Sequence, residues 1–335
     1  DGFIGPLWNV QGYTELGNSR FDLLGKFTSS EANVELRYRD LVDVSFQAFG
    51  RYVVHGDQLH YDSFGNRQKD KEVSASEVGG KLQLDFDIEE KVSASSWHDI
   101  ALKTYGFPVA PDSGEFPSNH FLLRNSLRVQ AQELEEDRSL NWKDGIQVVT
   151  QITHEYRKDF TSNIPGFVDK EHSLQGGAKL GAYLTAGDFS MQGEMRGMIQ
   201  INTDIFNTWY QGSMLSEFGY GPGSYLKEHS FSQSFQINGQ AGVLIVNNYH
   251  LQFGASTLML PGDNLVEGSE TSEGQEFISS VYLRFDAKVA GKLPIGLRVG
   301  WAPEVPRNPD TFGGENSGGL EFLFYTAIGL GKTDK

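Results

Sequence analysis

Apolar and polar residues alternate along most of this chain with a period of two. In 81–88, apolar residues at the even positions alternate with Lys, Gln and Asp at the odd ones, and 121–132, 189–202 and 280–289 follow the same pattern. Successive side chains of a β-strand point to opposite faces of its sheet, so each segment predicts a strand with one apolar and one polar face. No segment shows a long, capped 3.6-residue pattern. The stretch Gln130–Arg138 could form a short helix, but it also continues the alternation of the strand before it.

The alternating segments and the polar stretches between them predict about 14 strands. The predicted strands are 6–16, 20–39, 43–56, 73–88, 91–104, 119–133, 144–158, 173–185, 188–202, 230–246, 248–260, 276–290, 293–302 and 318–330. The second is too long for a regular strand, and its parity changes between Phe27 and Val34, which predicts a β-bulge or a break near 29–32. A break there would leave residues 6–16 outside a closed sheet, and an even count would keep both chain ends at one edge.

Short and long connections alternate along the chain. Short turns are predicted at 88–92, 185–188, 246–249 and 290–295, and longer polar connections at 56–72, 105–118, 159–172, 203–229, 261–275 and 302–318. The connection Glu133–Gly145 is the longest on the short side. This alternation is typical of up-and-down barrels with short periplasmic turns and long extracellular loops. We therefore predict an all-β fold: a single transmembrane antiparallel β-barrel domain over 1–335, with 12–16 strands.

A soluble β-sandwich or lectin-like domain is the competing fold. Its strands would be nearer ~5–6 residues, whereas most of those predicted are roughly twice as long, enough to cross a tilted bilayer. Closure would also remove the open edges of so large a sheet. The mean hydropathy of −0.39 suits a soluble protein, and it equally suits a barrel with a polar lumen.

Composition and charge exclude several classes of function. Among the 335 residues, 44 Asp and Glu outnumber 28 Lys and Arg, for a net charge of −16, which argues against nucleic acid as a partner. Cys is absent, which excludes disulfide scaffolds, thiolate metal sites and Cys nucleophiles. No apolar run approaches the ~18 residues of a transmembrane helix. The chain begins at Asp1 without Met or a signal segment, so we expect a mature, processed form.

Two stretches near the C-terminus carry a family resemblance. Ser279–Pro303, followed by Gly319–Leu330, is similar to the closing strands of Omp85-type barrels, and Gly319-x-x-Phe322-x-Phe324 resembles the assembly signal in the last strand of such proteins. The chain as a whole resembles Gram-negative outer-membrane barrels of porin or transporter type. The Omp85 loop signature Val-Arg-Gly-Phe/Tyr is missing. The resemblance implies a location in the bacterial outer membrane, in contact with lipid and lipopolysaccharide.

The polar parity of the strands predicts a lumen lined by charged side chains. The candidates are Arg37, Arg39, Asp85, Asp87, Arg124, Arg128, Glu155, Arg157, Glu194, Arg196, Arg284, Asp286 and Arg298. Two interpretations are open. The charges could form a mixed wall that filters solutes, or they could pair across neighbouring strands and fill the interior. Loops or side chains could also plug a barrel of this size.

The long connections offer a second set of candidates. Aromatic residues in 203–229 could contact sugars or a protein, fold inward, or pack within their own loop; they are Trp209, Tyr210, Phe218, Tyr220 and Tyr225. Acidic clusters in 263–276 and at Glu135, Glu136 and Asp137 could bind Ca²⁺ weakly, although their spacing fits no EF-hand. The eight His residues show neither H-x-x-x-H nor HExxH spacing, so no other metal or cofactor is expected.

These features favour a porin-like channel or transporter for small solutes, without enzymatic activity. The alternative is a structural or interaction barrel that anchors or forms part of a secretion, assembly or surface complex, with a protein partner. An outer-membrane hydrolase is a third hypothesis, because Ser95, Ser96, His98 and Asp99 are residue types of a catalytic triad. Alternation would send adjacent members of this group to opposite faces, and the His-Ser motif of outer-membrane phospholipases is not visible.

Overall fold

Fifteen antiparallel strands, each paired with the next along the chain, form a single up-and-down sheet in the computed structural model. The structure describes residues 9–16, 21–28, 31–41, 44–54, 74–106, 119–137, 142–160, 170–203, 233–245, 248–260, 276–289, 293–305 and 317–326. The strands are β1 (Asn9–Leu16), β2 (Phe21–Thr28), β3 (Glu31–Leu41), β4 (Val44–Val54), β5 (Ser74–Glu89), β6 (Val92–Gly106), β7 (His120–Asp137), β8 (Trp142–Arg157), β9 (His172–Ala186), β10 (Phe189–Ile201), β11 (Gln233–Ile245), β12 (Tyr249–Leu260), β13 (Glu276–Val289), β14 (Leu293–Val305) and β15 (Ser317–Thr326). The all-β, antiparallel up-and-down prediction is confirmed. Within these ranges no helix is long and apolar enough to cross a membrane.

The predicted long strand 20–39 is two strands, β2 and β3, which separate at 29–30 as the change of parity indicated. The first segment nevertheless belongs to the same sheet, because β1 pairs with β2 from Asn9↔Thr28 to Leu16↔Phe21. The described residues therefore form one strand more than the predicted 14. With an odd number of antiparallel strands, the start of β1 and the end of β15 lie at opposite edges of the sheet, where an edge means the side formed by the strand ends. The expectation that the two chain ends lie at the same edge is wrong for these strands.

The connections divide the two edges of the sheet. Seven of them, 17–20, 42–43, 90–91, 138–141, 187–188, 246–248 and 290–292, lie at one edge, which we call the short-connection edge. The other seven lie at the opposite, long-connection edge: 29–30, which is short, and six longer ones, 55–73, 107–119, 158–171, 202–232, 261–275 and 306–316.

One predicted connection is largely strand. Residues 133–137 form the end of β7 and 142–145 the start of β8, paired as far as Asp137↔Trp142, and residues 130–137 of the possible helix are strand as well. This hairpin extends beyond its neighbour β6, whose pairing with β7 stops at Val92↔Ala131. Gly145 has a φ of 125°, a backbone conformation that favours glycine, and a Cβ there would collide with the carbonyl oxygen of Glu133.

The two faces of the sheet have the opposite polarity to those of a soluble protein, because the apolar side chains are exposed and the polar ones are buried. Large apolar side chains are exposed on one face, such as Phe121 at 61% and Leu184 at 68%. Polar side chains are buried on the other, where His250 and Gln252 are fully buried. Water would penalise so large an apolar surface, whereas lipid would not. The alternation seen in the sequence thus becomes an exposed apolar face and a buried polar face.

Candidate functional site

Cross-strand register lines up charged residues on the buried polar face of β4–β8. In one row, each residue lies directly opposite the next: Lys81, Asp99, Arg124 and Glu155 on β5 to β8. A second row runs through Arg51, Glu77, Lys103 and His120 on β4 to β7. Lys, Arg and acidic residues alternate along both rows, so that each carboxylate lies between two basic side chains or beside one. Opposite charges placed in this way stabilise a sheet.

Arg124 holds these rows together. Its guanidinium lies 2.8 Å from Glu155 Oε2, 3.3 Å from Asp99 Oδ2 and 3.4 Å from Glu77 Oε1. Glu77 also forms an ion pair with Lys103, whose Nζ lies 3.3 Å from Oε1. The carboxylates are 3–8% exposed and Arg124 16%. The guanidinium presents five N–H donors in a fixed planar fork, so one side chain can contact three carboxylates at once.

Aromatic residues cover this ion network at the long-connection edge. Phe160 is buried, with the guanidinium carbon of Arg157 4.1 Å from its ring centre and the ring of His120 4.9 Å away. Arg157 is itself fully buried and donates a hydrogen bond to the carbonyl oxygen of Lys170 at 2.8 Å. The cap therefore joins the start and the end of the connection between β8 and β9.

A second ion network lies on β9 and β10. Glu194 accepts a hydrogen bond from the Tyr183 hydroxyl at 2.6 Å and forms ion pairs with Arg196 at 2.5 Å and Lys179 at 3.4 Å. Tyr183 is fully buried and Glu194 nearly so. As around Arg124, the charges are paired by short contacts rather than left facing an open space.

A tyrosine on β13 reaches across the neighbouring strand to β11. The Tyr282 hydroxyl donates to Gln240 Oε1 at 2.5 Å and lies 3.0 Å from Asn238 Oδ1. Gly254 of β12 lies between them, and a Cβ there would be only 2.3 Å from Tyr282 Cζ. Glycine at this position leaves the room that the phenol ring occupies.

The side chains of Ser190 and His250 likewise contact each other across an intervening strand, near the short-connection edge. Ser190 Oγ lies 2.8 Å from His250 Nε2, across the intervening Gly242, whose Cβ would be 2.7 Å from the His250 ring. Asp286, on the next strand, is held by Arg284 at 2.8 Å. Hydrogen bonds and ion pairs thus connect the strands across most of the buried face that the structure describes.

The predicted lumen residues fall on this buried polar face wherever their side chains are described, with Asp87 exposed near the short-connection edge. Buried residues are Glu155, Arg157, Glu194, Asp286 and Arg298; partly buried ones are Arg37, Asp85, Arg124, Arg128, Arg196 and Arg284. The side chain of Arg39 lies outside the described residues. Glu77, Asp99 and Lys103 were not predicted as lumen residues, although each shares the parity of its strand's polar positions; Asp99 was considered only as a triad-type residue. Tyr183, Tyr282 and His250 were also not predicted, because only charged residues were considered as lumen candidates.

The loop candidates lie outside the described residues: Trp209, Tyr210, Phe218, Tyr220 and Tyr225, with the acidic residues of 263–275. Glu135 is exposed on β7, and the side chains of Glu136 and Asp137 are not described. Within the described ranges, no three His, Asp or Glu side chains are grouped as a metal site requires.

Solved structures resemble this fold. No protein-family model and no curated protein matches the chain. BamA from Haemophilus ducreyi, lacking POTRA domains 1-3, aligns with a TM-score of 0.59 at 10% identity, over 92% of this chain and 64% of that one. CdiB from Acinetobacter baumannii aligns with a TM-score of 0.50 at 8% identity, over 91% and 53%. This chain spans less than two thirds of either protein. Both are outer-membrane β-barrels, and the chain shares the antiparallel up-and-down fold of that class.

Proposed function

We propose that the sheet closes into a transmembrane barrel in the bacterial outer membrane. The exposed apolar face would contact lipid, and the long-connection edge would face the outside of the cell. Strands such as β5 and β8, with 16 residues each, exceed the ~9–11 that cross a bilayer. Closure removes the bare edges of β1 and β15. Since these strands run in the same direction, a seam between them would be parallel.

We propose further that this barrel is a narrow channel or transporter for small polar solutes. The observation that carries the proposal is the continuous buried polar face, which a closed sheet would turn inward. A solute inside would exchange water for hydrogen bonds to fixed side chains of both charge signs. Because the ion networks around Arg124 and Glu194 fill part of the interior, we expect small conductance rather than a wide pore.

A structural or interaction barrel is the second candidate, and one observation favours it. Arg157, His250 and Gln252 have no exposed surface, so parts of the interior are filled by the protein's own side chains. In that case the barrel would anchor a partner in the membrane, and its interior charges would serve stability alone.

Planar-bilayer recording separates the two functions. The channel proposal predicts discrete, small conductance steps for the wild type, and larger steps when Arg124 and Glu155 are both replaced by Ser, which shortens the side chains that narrow the interior. The matched control replaces Lys91 and Glu133, an exposed pair near the short-connection edge, by Ser and should leave the steps unchanged. A folded wild type that is silent at every voltage would refute the channel and support the interaction barrel.

A further inference from the structure

Three polar side chains form a hydrogen-bonded chain on the outer, apolar face of β6 and β7. Ser96 Oγ lies 3.4 Å from His98 Nε2, and His98 Nδ1 lies 2.8 Å from Asn125 Oδ1. His98 and Asn125 are exposed, and Ser96 is partly exposed. Their neighbours on this face are apolar and exposed, among them Ile100 and Leu127. Polar groups on a surface suited to lipid are costly, which calls for an explanation beyond the fold.

The arrangement follows from strand geometry. Ser96 and His98 are two positions apart on β6 and therefore share a face, while Asn125 lies directly opposite His98 on β7. The neighbouring triad-type residues are engaged on the other face: Ser95 donates to Asp85 at 2.6 Å, and Asp99 pairs with Arg124. The expected separation of adjacent residues thus occurs, and it leaves a complete serine, histidine and amide set on the outside.

The order of contacts gives each group a chemical role. A ring nitrogen can donate to an amide oxygen only if it carries the proton, so the contact with Asn125 Oδ1 favours the tautomer of His98 that is protonated at Nδ1. Nε2 is then free to accept the proton of the Ser96 hydroxyl. A nucleophile beside a base that is oriented by a third group is the arrangement of acyl-transfer enzymes, in which Asn can replace Asp.

We propose that Ser96 and His98 are catalytic residues of a serine esterase site on the outer face of the barrel, with Asn125 as the positioning residue. Ser96 Oγ attacks the ester carbonyl carbon as its proton passes to His98 Nε2. The bond to the alcohol oxygen breaks, and the alcohol leaves with that proton. Water then attacks the acyl-serine and gives a proton to Nε2, which returns it to Ser96. The products are the alcohol and the carboxylic acid.

The surroundings of the site point to acyl esters of membrane lipids as substrates. Exposed apolar residues flank the chain on both sides along β7, with Leu123 and Leu127 next to Asn125, and would contact an acyl chain. Water can approach along a polar row, because Asn125 lies opposite His154, which contacts His172 at 3.1 Å near the long-connection edge. The lipid substrate rests on the proposed membrane location, whereas the reactive serine does not.

The test is labelling of the refolded full chain in detergent with a fluorophosphonate, which modifies activated serines, followed by mass spectrometry of the labelled residue. Hydrolysis of a soluble short-chain nitrophenyl ester and of phosphatidylethanolamine in mixed micelles is measured in parallel. The matched control is Ser279→Ala, which removes an outer-face serine that is hydrogen-bonded to the Thr257 hydroxyl at 3.2 Å.

We expect the label on Ser96, and loss of about 100-fold or more of ester turnover in Ser96→Ala and His98→Gln, with Ser279→Ala unchanged. Asn125→Ala should lower kcat by about tenfold or more at an unchanged KM, which a purely structural role would not produce. Absence of label at Ser96, or turnover that survives Ser96→Ala, overturns the esterase site. Turnover of the soluble ester alone overturns the lipid substrate. Neither result depends on conductance, so the channel proposal stands or falls separately.

Discussion

Replacing Arg124 by Met tests whether the buried ion network stabilises the barrel. The substitution keeps an unbranched apolar stem but removes the guanidinium that contacts Glu77, Asp99 and Glu155. Breaking a buried ion pair by removing one partner costs about 3–5 kcal/mol, because the remaining charge is left unpaired. Three nearly buried carboxylates lose a contact here. Lys103 still pairs with Glu77, so we expect a loss of at least about 3 kcal/mol, roughly a hundredfold in the folding equilibrium constant.

Denaturant unfolding of the protein in lipid vesicles, followed by fluorescence of the five Trp residues, measures this loss. The control is Lys91→Met, which breaks an exposed ion pair with Glu133 whose side chains are 54% and 75% exposed. Exposed pairs contribute about 0–1 kcal/mol, so this variant should unfold within about 1 kcal/mol of the wild type.

A double-mutant cycle localises the effect. The double variant with Glu155→Gln and Arg124→Met should lose less free energy of unfolding than the sum of the losses in the two single variants. We expect a coupling of about 1–3 kcal/mol, because the double variant no longer contains the unpaired Glu155 carboxylate. If Arg124→Met and Lys91→Met were equally mild, Arg124 would be solvated in the folded protein and the buried network would not exist as described.

Three further predictions concern packing, the outer face and closure. Gly254→Val should destabilise the barrel by about 1–3 kcal/mol by displacing Tyr282, and Tyr282→Ala should remove most of that penalty; equal loss in both backgrounds would contradict the close approach. Phe253→Arg, on the exposed apolar face, should cost up to about 2–4 kcal/mol in bilayers, measured as a shift in the denaturant midpoint, whereas a neutral effect would exclude lipid contact. Because the chain has no Cys, cysteines scanned along β1 and β15 should cross-link in one register; cross-linking of β15 to β2 instead would show an antiparallel seam of 14 strands with β1 displaced.

The sequence predicts the strands well where one face is apolar and the other polar. The predicted strands 73–88 and 276–290 differ by one residue at most from β5 and β13 at either end. The prediction fails at 134–137 and 142–143, where residues such as Glu135, in a run of acidic residues, were interpreted as a polar connection and are strand. Periodicity reports strands only where the two faces have different surroundings.

The candidate sites depend on register, which the pattern of a single strand does not contain. Parity places Arg124 on the polar face, but its contact with Glu155 requires that β7 and β8 pair in one particular alignment. The same holds for His98 and Asn125, which are 27 residues apart along the chain. The room that Gly254 leaves for Tyr282 likewise appears only once three strands are aligned.

β7 extends beyond the end of its pairing with β6, and this extension affects how the protein could pair with other chains. Gln132 donates its amide hydrogen to the carbonyl oxygen of Lys91, and beyond it none of the described strands pairs with the β6-facing side of β7. Such an edge invites another strand to add to it. Its own composition works against pairing with a second copy, because Glu133 and Glu135 would meet the same negative charges across the new ladder. The unpaired side of the hairpin therefore carries negative charge, which opposes edge-to-edge pairing with a second copy.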